Sequence, residues 1–229
     1  MTSILLVGDG GPAGLVASLR ADGYLVATAA NGDQAAHAAS NSAPDLVQLQ
    51  SASPPDGIAL CNALRRFPCL AGTPILFVSA HRDRLEMLGA LTAGADDYLA
   101  RPFLLRELEL RIEALIRRMA RQATSLVRTL DVKGLHLGCN TLLLEHGGHA
   151  VRLTDMECKL LRCLMSRPGQ VFRADDLLQE VWGYYAGTGD PTLVRMHVGN
   201  LRRKIAANLS LPDIIRTVTR HGYSLEAAP

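Results

Sequence analysis

Five short apolar runs, Ile4–Val7, Leu25–Thr28, Leu46–Leu49, Ile75–Val78 and Tyr98–Leu99, punctuate the first hundred residues. Amphipathic stretches such as GLVASLRADG and IALCNALRRF separate them. A strand that is apolar along its whole length is buried on both faces, and parallel neighbours need a helical crossover between them. This alternation therefore predicts a doubly wound α/β domain, a five-stranded parallel sheet with helices on both sides. Ligands of such sheets gather at the carboxyl ends of the strands. The residues expected there are Gly8 and Asp9 after the first strand, Gln50 after the third, Ser79 after the fourth and Arg101 after the fifth.

The stretch VGDGGPAGL follows the first run and satisfies the loose dinucleotide spacing Gly8-x-Gly10-x-x-Ala13. That fingerprint also needs an acid at the end of the second strand to hold a ribose hydroxyl. Here Tyr24–Thr28 runs into Ala29-Ala30-Asn31-Gly32, which argues against a dinucleotide. Asp9 has two readings at this point: a ligand contact, or a cap on a first helix opened by Pro12.

After the polar stretch RRMARQATS (Arg117–Ser125), which reads as a linker, the pattern changes. Gly147-Gly148 marks a hairpin between two short β runs. Thr154 and Glu157 have capping-box spacing ahead of Leu160, Leu161 and Leu164, and Pro168-Gly169 close that helix. Two further helical segments, RADDLLQEVWG and TLVRMHVGNLRRKIAANL, precede a hairpin turning at Arg220-His221-Gly222. In the last helix Val194, Val198, Leu201 and Ile205 form one apolar stripe. The faces left over carry Arg195, His197, Gly199, Asn200, Arg202 and Arg203, a composition suited to phosphates and base edges.

Charge supports that division. The whole chain of 229 residues has a net charge of +2, but residues 1–125 carry 11 basic against 12 acidic residues, and the remainder 13 against 10. Between 195 and 220 there are six basic residues and one acid, Asp213, which fits a polyanionic partner. With 48% hydrophobic and 20% charged residues, no membrane-length apolar run and no basic leader, a soluble cytoplasmic protein is expected. The cysteines at 61, 69, 139, 158 and 163 have neither CxxC nor zinc-ligand spacing, so reduced, mostly buried thiols and no metal are expected.

The first half resembles the receiver domain of two-component response regulators over residues 1–121, most strongly in AGADDYLARPF, Ala93–Phe103. The resemblance implies a flavodoxin-like fold, a cis peptide before Pro102, and phosphoryl transfer to an aspartate beside Mg²⁺. On this sequence the family's acid pair becomes Gly8-Asp9, its acceptor aspartate becomes Gln50, its hydroxyl remains as Ser79, and its lysine becomes Arg101. A carboxamide cannot accept the phosphoryl group as a carboxylate does, and Mg²⁺ is poorly served with one acid missing. Arginine offers a planar fork where lysine offers a point charge. The loop at SPPDG is also one residue short. The pocket is therefore expected to be degenerate, with no metal, no cofactor and no catalysis. In the family, one face pairs two receivers through charges, and the matching positions are Asp96, Asp97, Glu107, Arg111 and Arg118. Met87 stands where a basic residue is expected.

Residues 126–229 resemble the winged helix-turn-helix domain of the OmpR/PhoB family, through LTDMECKLL, RPGQVF, LLQEVWG, VRMHVGNLRRKI and IIRTVTRHGY in that order. The resemblance directs Arg195, Met196 and Asn200 toward bases, and His197, Arg202 and Arg203 toward phosphates. It places Thr217 and Arg220 in the wing, and gives the loop before the third helix to RNA polymerase. The expectation is a non-enzymatic, sequence-specific regulator that binds double-stranded DNA without aspartyl phosphorylation, as a homodimer joined by its receivers. Two alternatives stay open: a regulator gated by a small molecule in the former phosphate pocket, and a protein-interaction adaptor.

Overall fold

Parallel ladders join β1 (Ser3–Val7), β2 (Leu25–Ala29), β3 (Leu46–Ser51), β4 (Ile75–Ser79) and β5 (Asp97–Ala100) in the order β2-β1-β3-β4-β5. Helices α1 (Leu15–Ala21), α2 (Gly32–Asn41), α3 (Pro54–Arg66), α4 (Arg84–Thr92) and α5 (Leu105–Ala123) connect and follow them. The computed structural model describes residues 1–8, 13–123, 129–184, 189–211 and 213–226. Within it the chain divides into two units, Met1–Ala120 and Arg121–Pro229. The stretch read as a linker is helical at its start: α5 continues to Ala123, because Arg, Met, Gln and Ala are good helix formers.

The two sheet faces sort the strand-end residues. In a parallel ladder, register partners project to the same face and successive residues to opposite faces. Asp97 pairs with Arg111 of α5, and its register partner is Leu76, which in turn faces Gln48. Gln48 and Gln50 therefore lie on the α5 face. Ser51, Phe77 and Ser79 lie on the other, where Gly57 of α3 packs against Ser51 and Phe77 so closely that no Cβ would fit. Gln50 is inside β3, opposite Val78, one position earlier in the ladder than its expected place after the strand.

Arg65, at the end of α3, knots three segments together. Its guanidinium donates to the carbonyls of Gly94 (2.7 Å), Leu70 (3.0 Å) and Thr73 (2.5 Å) and pairs with Asp96 at 2.5 Å. Asp96 also accepts the Ile75 N–H at 2.7 Å.

The second unit opens with an antiparallel sheet of β6 (Thr129–Val132), β7 (Leu135–Gly138), β8 (Leu143–His146) and β9 (His149–Arg152). Gly147 and Gly148, at φ 56° and 81°, make the turn between β8 and β9 with both residues left-handed, which glycine allows without strain. Next comes α6 (Asp155–Ser166), held by the expected capping box of Thr154 and Glu157. A short α7 (Ala174–Leu177) runs into one π-helical turn, Leu178–Trp182. Helix α8 (Pro191–Leu209) and the hairpin β10 (Ile215–Val218)–β11 (Gly222–Leu225) complete a winged helix. Among the described residues no helix is long and apolar enough to cross a membrane.

Candidate nucleic-acid interface and strand-end pocket

Helix α8 starts where Asp190 accepts the Thr192 N–H at 2.8 Å, with Pro191 in the first turn, and ends at Ser210, φ 56°. Its buried side is wider than the apolar stripe in the sequence. It takes in Leu193, Val194, His197, Val198, Asn200, Leu201, Ile205 and Leu209. His197, expected at a phosphate, is 1% exposed and lies 5.2 Å from the Trp182 ring, centroid to centroid. Asn200, expected at a base edge, is 4% exposed, and its Oδ1 accepts from Arg203 Nη1 at 3.3 Å. Both side chains are thus enclosed in this structure, where the expectation turned them outward to a phosphate and a base edge. The signal was present in the sequence, since Leu193, His197 and Leu201 recur at four-residue intervals beside the Val194 stripe.

The outward side keeps Arg195 and Arg203 exposed, with Met196, Gly199 and Arg202 half-buried. Arg202 turns toward the hairpin. Its Nε and Nη2 donate to the Ile215 carbonyl at 2.9 and 2.8 Å, and Nη2 also donates to Thr217 Oγ1 at 2.8 Å. Arg202 and Thr217, expected at the phosphate and in the wing, thus fasten the wing to the helix. Lys204 pairs with the buried capping residue Glu157 at 2.7 Å, tying α8 to α6. Arg216 pairs with Glu226 across the hairpin. Arg220 is exposed at the hairpin tip, φ 64°. Gly222 is required there because a Cβ would collide with the Phe172 carbonyl.

At the strand ends of the first unit, Gly8 (φ 105°) packs its backbone against the Gln50 carbonyl, with no room for a Cβ. Asp9 lies outside the described residues. Ser79 does not converge on Gln50. It is 1% exposed, and its hydroxyl donates to Glu86 Oε2 at 2.6 Å while accepting the His81 N–H at 3.0 Å. Glu86, in the first turn of α4, is itself 2% exposed. It was missed in the sequence, although an acid four residues before buried Ala90 leads that helix's inward stripe. The Tyr98 hydroxyl donates to the His81 carbonyl at 3.2 Å, and burial pushes that phenol above its ordinary range. Arg101 is half-buried and precedes Pro102 across a cis peptide. Among the described residues no group of His, Cys, Asp and Glu is placed to hold a metal ion.

Of the five charges expected at a receiver pairing face, Asp96 is fully buried and paired with Arg65 within the chain. Arg111 joins Asp97 at 3.1 Å and Glu107 at 3.2 Å within one chain. The Arg118 side chain, and residues 185–188 of the loop assigned to polymerase, are outside the described residues. The cysteines are free thiols; burial pushes Cys61 and Cys158 up to about 12.

A parallel α/β receiver joined in one chain to a winged helix with outward arginines defines a two-domain DNA-binding transcriptional regulator. Residues 12–113 match the family described as response regulator receiver domain, and residues 148–225 the family described as transcriptional regulatory protein, C terminal. The chain is 39% identical over 213 residues to the phosphate regulon transcriptional regulatory protein PhoB of Rhizobium meliloti (strain 1021), covering 92% of this chain and 91% of that one. It is 34% identical over 231 residues to the DNA-binding dual master transcriptional regulator RpaA of Synechocystis, covering 99% and 95%. The chain belongs to the OmpR/PhoB-type response regulators. A mutant of RitR shares the fold, with a TM-score of 0.75 over the full length of both chains at 22% identity.

Proposed function

We propose that this regulator reads DNA without aspartyl phosphorylation, as a homodimer joined through its receiver domains. The observation that carries this reading is the closure of Gly8 onto the Gln50 backbone, in the place where the family's chemistry needs a second acid above an acceptor aspartate. Gln50 is not a phosphoryl acceptor, and its neighbour on the next strand leaves no volume for a carboxylate to help hold Mg²⁺. The Ser79 hydroxyl is bonded to Glu86 on the opposite face of the sheet. On the DNA side, Arg203 supplies a phosphate contact, Arg195 and Met196 face base edges, and Arg220 extends the wing. RNA polymerase is the further partner of this reading.

The test is chemical. The full chain is incubated with acetyl phosphate and Mg²⁺ and analysed by intact-mass spectrometry, with hydroxylamine to cleave any acyl phosphate. No labile adduct is the expected result. An adduct on a carboxylate of the strand-end pocket would overturn the reading.

A further inference from the structure

Gly199 sits in the interior of α8, and no contact among the described residues accounts for it. Beyond its chain neighbours and the backbone of its own helix, a Cβ built there meets no described atom within 4 Å, and its φ is not in the left-handed region that favours glycine. Glycine is the poorest helix former after proline, since it loses the most backbone freedom on folding. Alanine would therefore fit the space and hold the helix better. The reason for glycine lies outside the chain. Its neighbours on the outward side identify what approaches: Arg195 four residues before and Arg203 four after are both exposed, and i, i+4 and i+8 fall along one side of a helix.

We infer that Gly199 is a specificity-determining residue, the point at which α8 comes closest to the base-pair edges of the groove. This rests on the reading of the chain as a sequence-specific DNA-binding regulator. Without a Cβ the helix backbone approaches nearer by about one carbon–carbon bond, roughly 1.5 Å. The flanking arginines then meet the duplex on either side of the contact. A side chain at 199 holds the helix away from the bases, so that Arg195 loses its reach to the base edges while Arg203 keeps a phosphate contact. The loss falls on the specific complex, in which the helix is fully seated. It largely spares non-specific binding, which depends on phosphate charge.

Gly199→Ala and Gly199→Leu in the full chain test this. The probes are a duplex enriched by wild-type protein from a random pool and a scrambled duplex of equal length, and thermal unfolding is followed in parallel. The expected result is a melting temperature at or above wild type. Affinity for the enriched duplex falls by about tenfold or more for alanine and further for leucine, with scrambled-duplex affinity changed by less than about twofold. Alanine binding the enriched duplex as tightly as wild type would overturn the inference. So would equal losses on both duplexes with a lowered melting temperature, which would make the glycine structural. A wild type that enriches no sequence at all would instead overturn the regulator reading beneath it.

Discussion

Arg203 and Asn200 stand three residues apart on α8 and part company in the structure. Arg203 is exposed, so Arg203→Ala should weaken binding to every duplex alike and lower the slope of log affinity against log salt by about one, as one phosphate contact is lost. Electrophoretic mobility shifts across a salt series measure it. Asn200 is buried, so Asn200→Ala should show first as a loss of thermal stability, on the order of 1 kcal/mol for a buried hydrogen-bonding group. A change of preference at one base pair with stability intact would return it to the interface. The pocket has a similar pair of expectations. Gln50→Asp should fold and remain unphosphorylated, whereas Gly8→Asp should destabilise the receiver, because its Cβ collides with backbone and its φ of 105° suits glycine. Circular dichroism melts of the two variants separate them. Thiol reactivity is a further check. At pH 8 Cys61 and Cys158, pushed up to about 12, are almost wholly protonated, so iodoacetamide should label exposed Cys69 well before either.

At the scale of elements, the strands were legible because continuous apolar runs leave few other folds open, and the capping box of α6 because its partners are three residues apart. The inward face of α8 was only half legible. Periodicity gave the Val194–Ile205 stripe, but the width of a buried face is set by what packs on it, and that is Trp182 at the end of a π-helical turn that LLQEVW does not announce. For the same reason Ser79 was found and its partner Glu86 was not: a helix has to be docked before an acid in its first turn is seen to point inward. Two elements are joined by single residues that can be tested. Arg202→Ala removes the donor to Ile215 and Thr217, and should increase amide exchange in β10 and β11 while α8 stays protected. Arg65→Ala strands Asp96 inside the receiver without its cation. Breaking a buried pair in this way costs about 3 to 5 kcal/mol, and urea unfolding of the full chain should show the receiver transition moved to lower denaturant.

For the whole molecule, assembly and control are one question. If the receivers pair without a phosphoryl group, dimers should exist in solution and on two half-sites about one helical turn apart, with no phosphodonor added. Arg111 holds Asp97 and Glu107 at the centre of the proposed pairing face, so Arg111→Glu should reduce cooperative occupancy and leave a single half-site bound. Footprinting of one- and two-site duplexes would show this. A wild type that protects only one half-site at all concentrations would argue against the dimer. The most direct test of phosphorylation-independent DNA reading is the affinity of the full-length wild type for its enriched duplex, followed by fluorescence anisotropy with and without acetyl phosphate and Mg²⁺. The two isotherms should coincide, at an affinity well above that for scrambled DNA. Binding that tightens only in the presence of the phosphodonor would contradict the account.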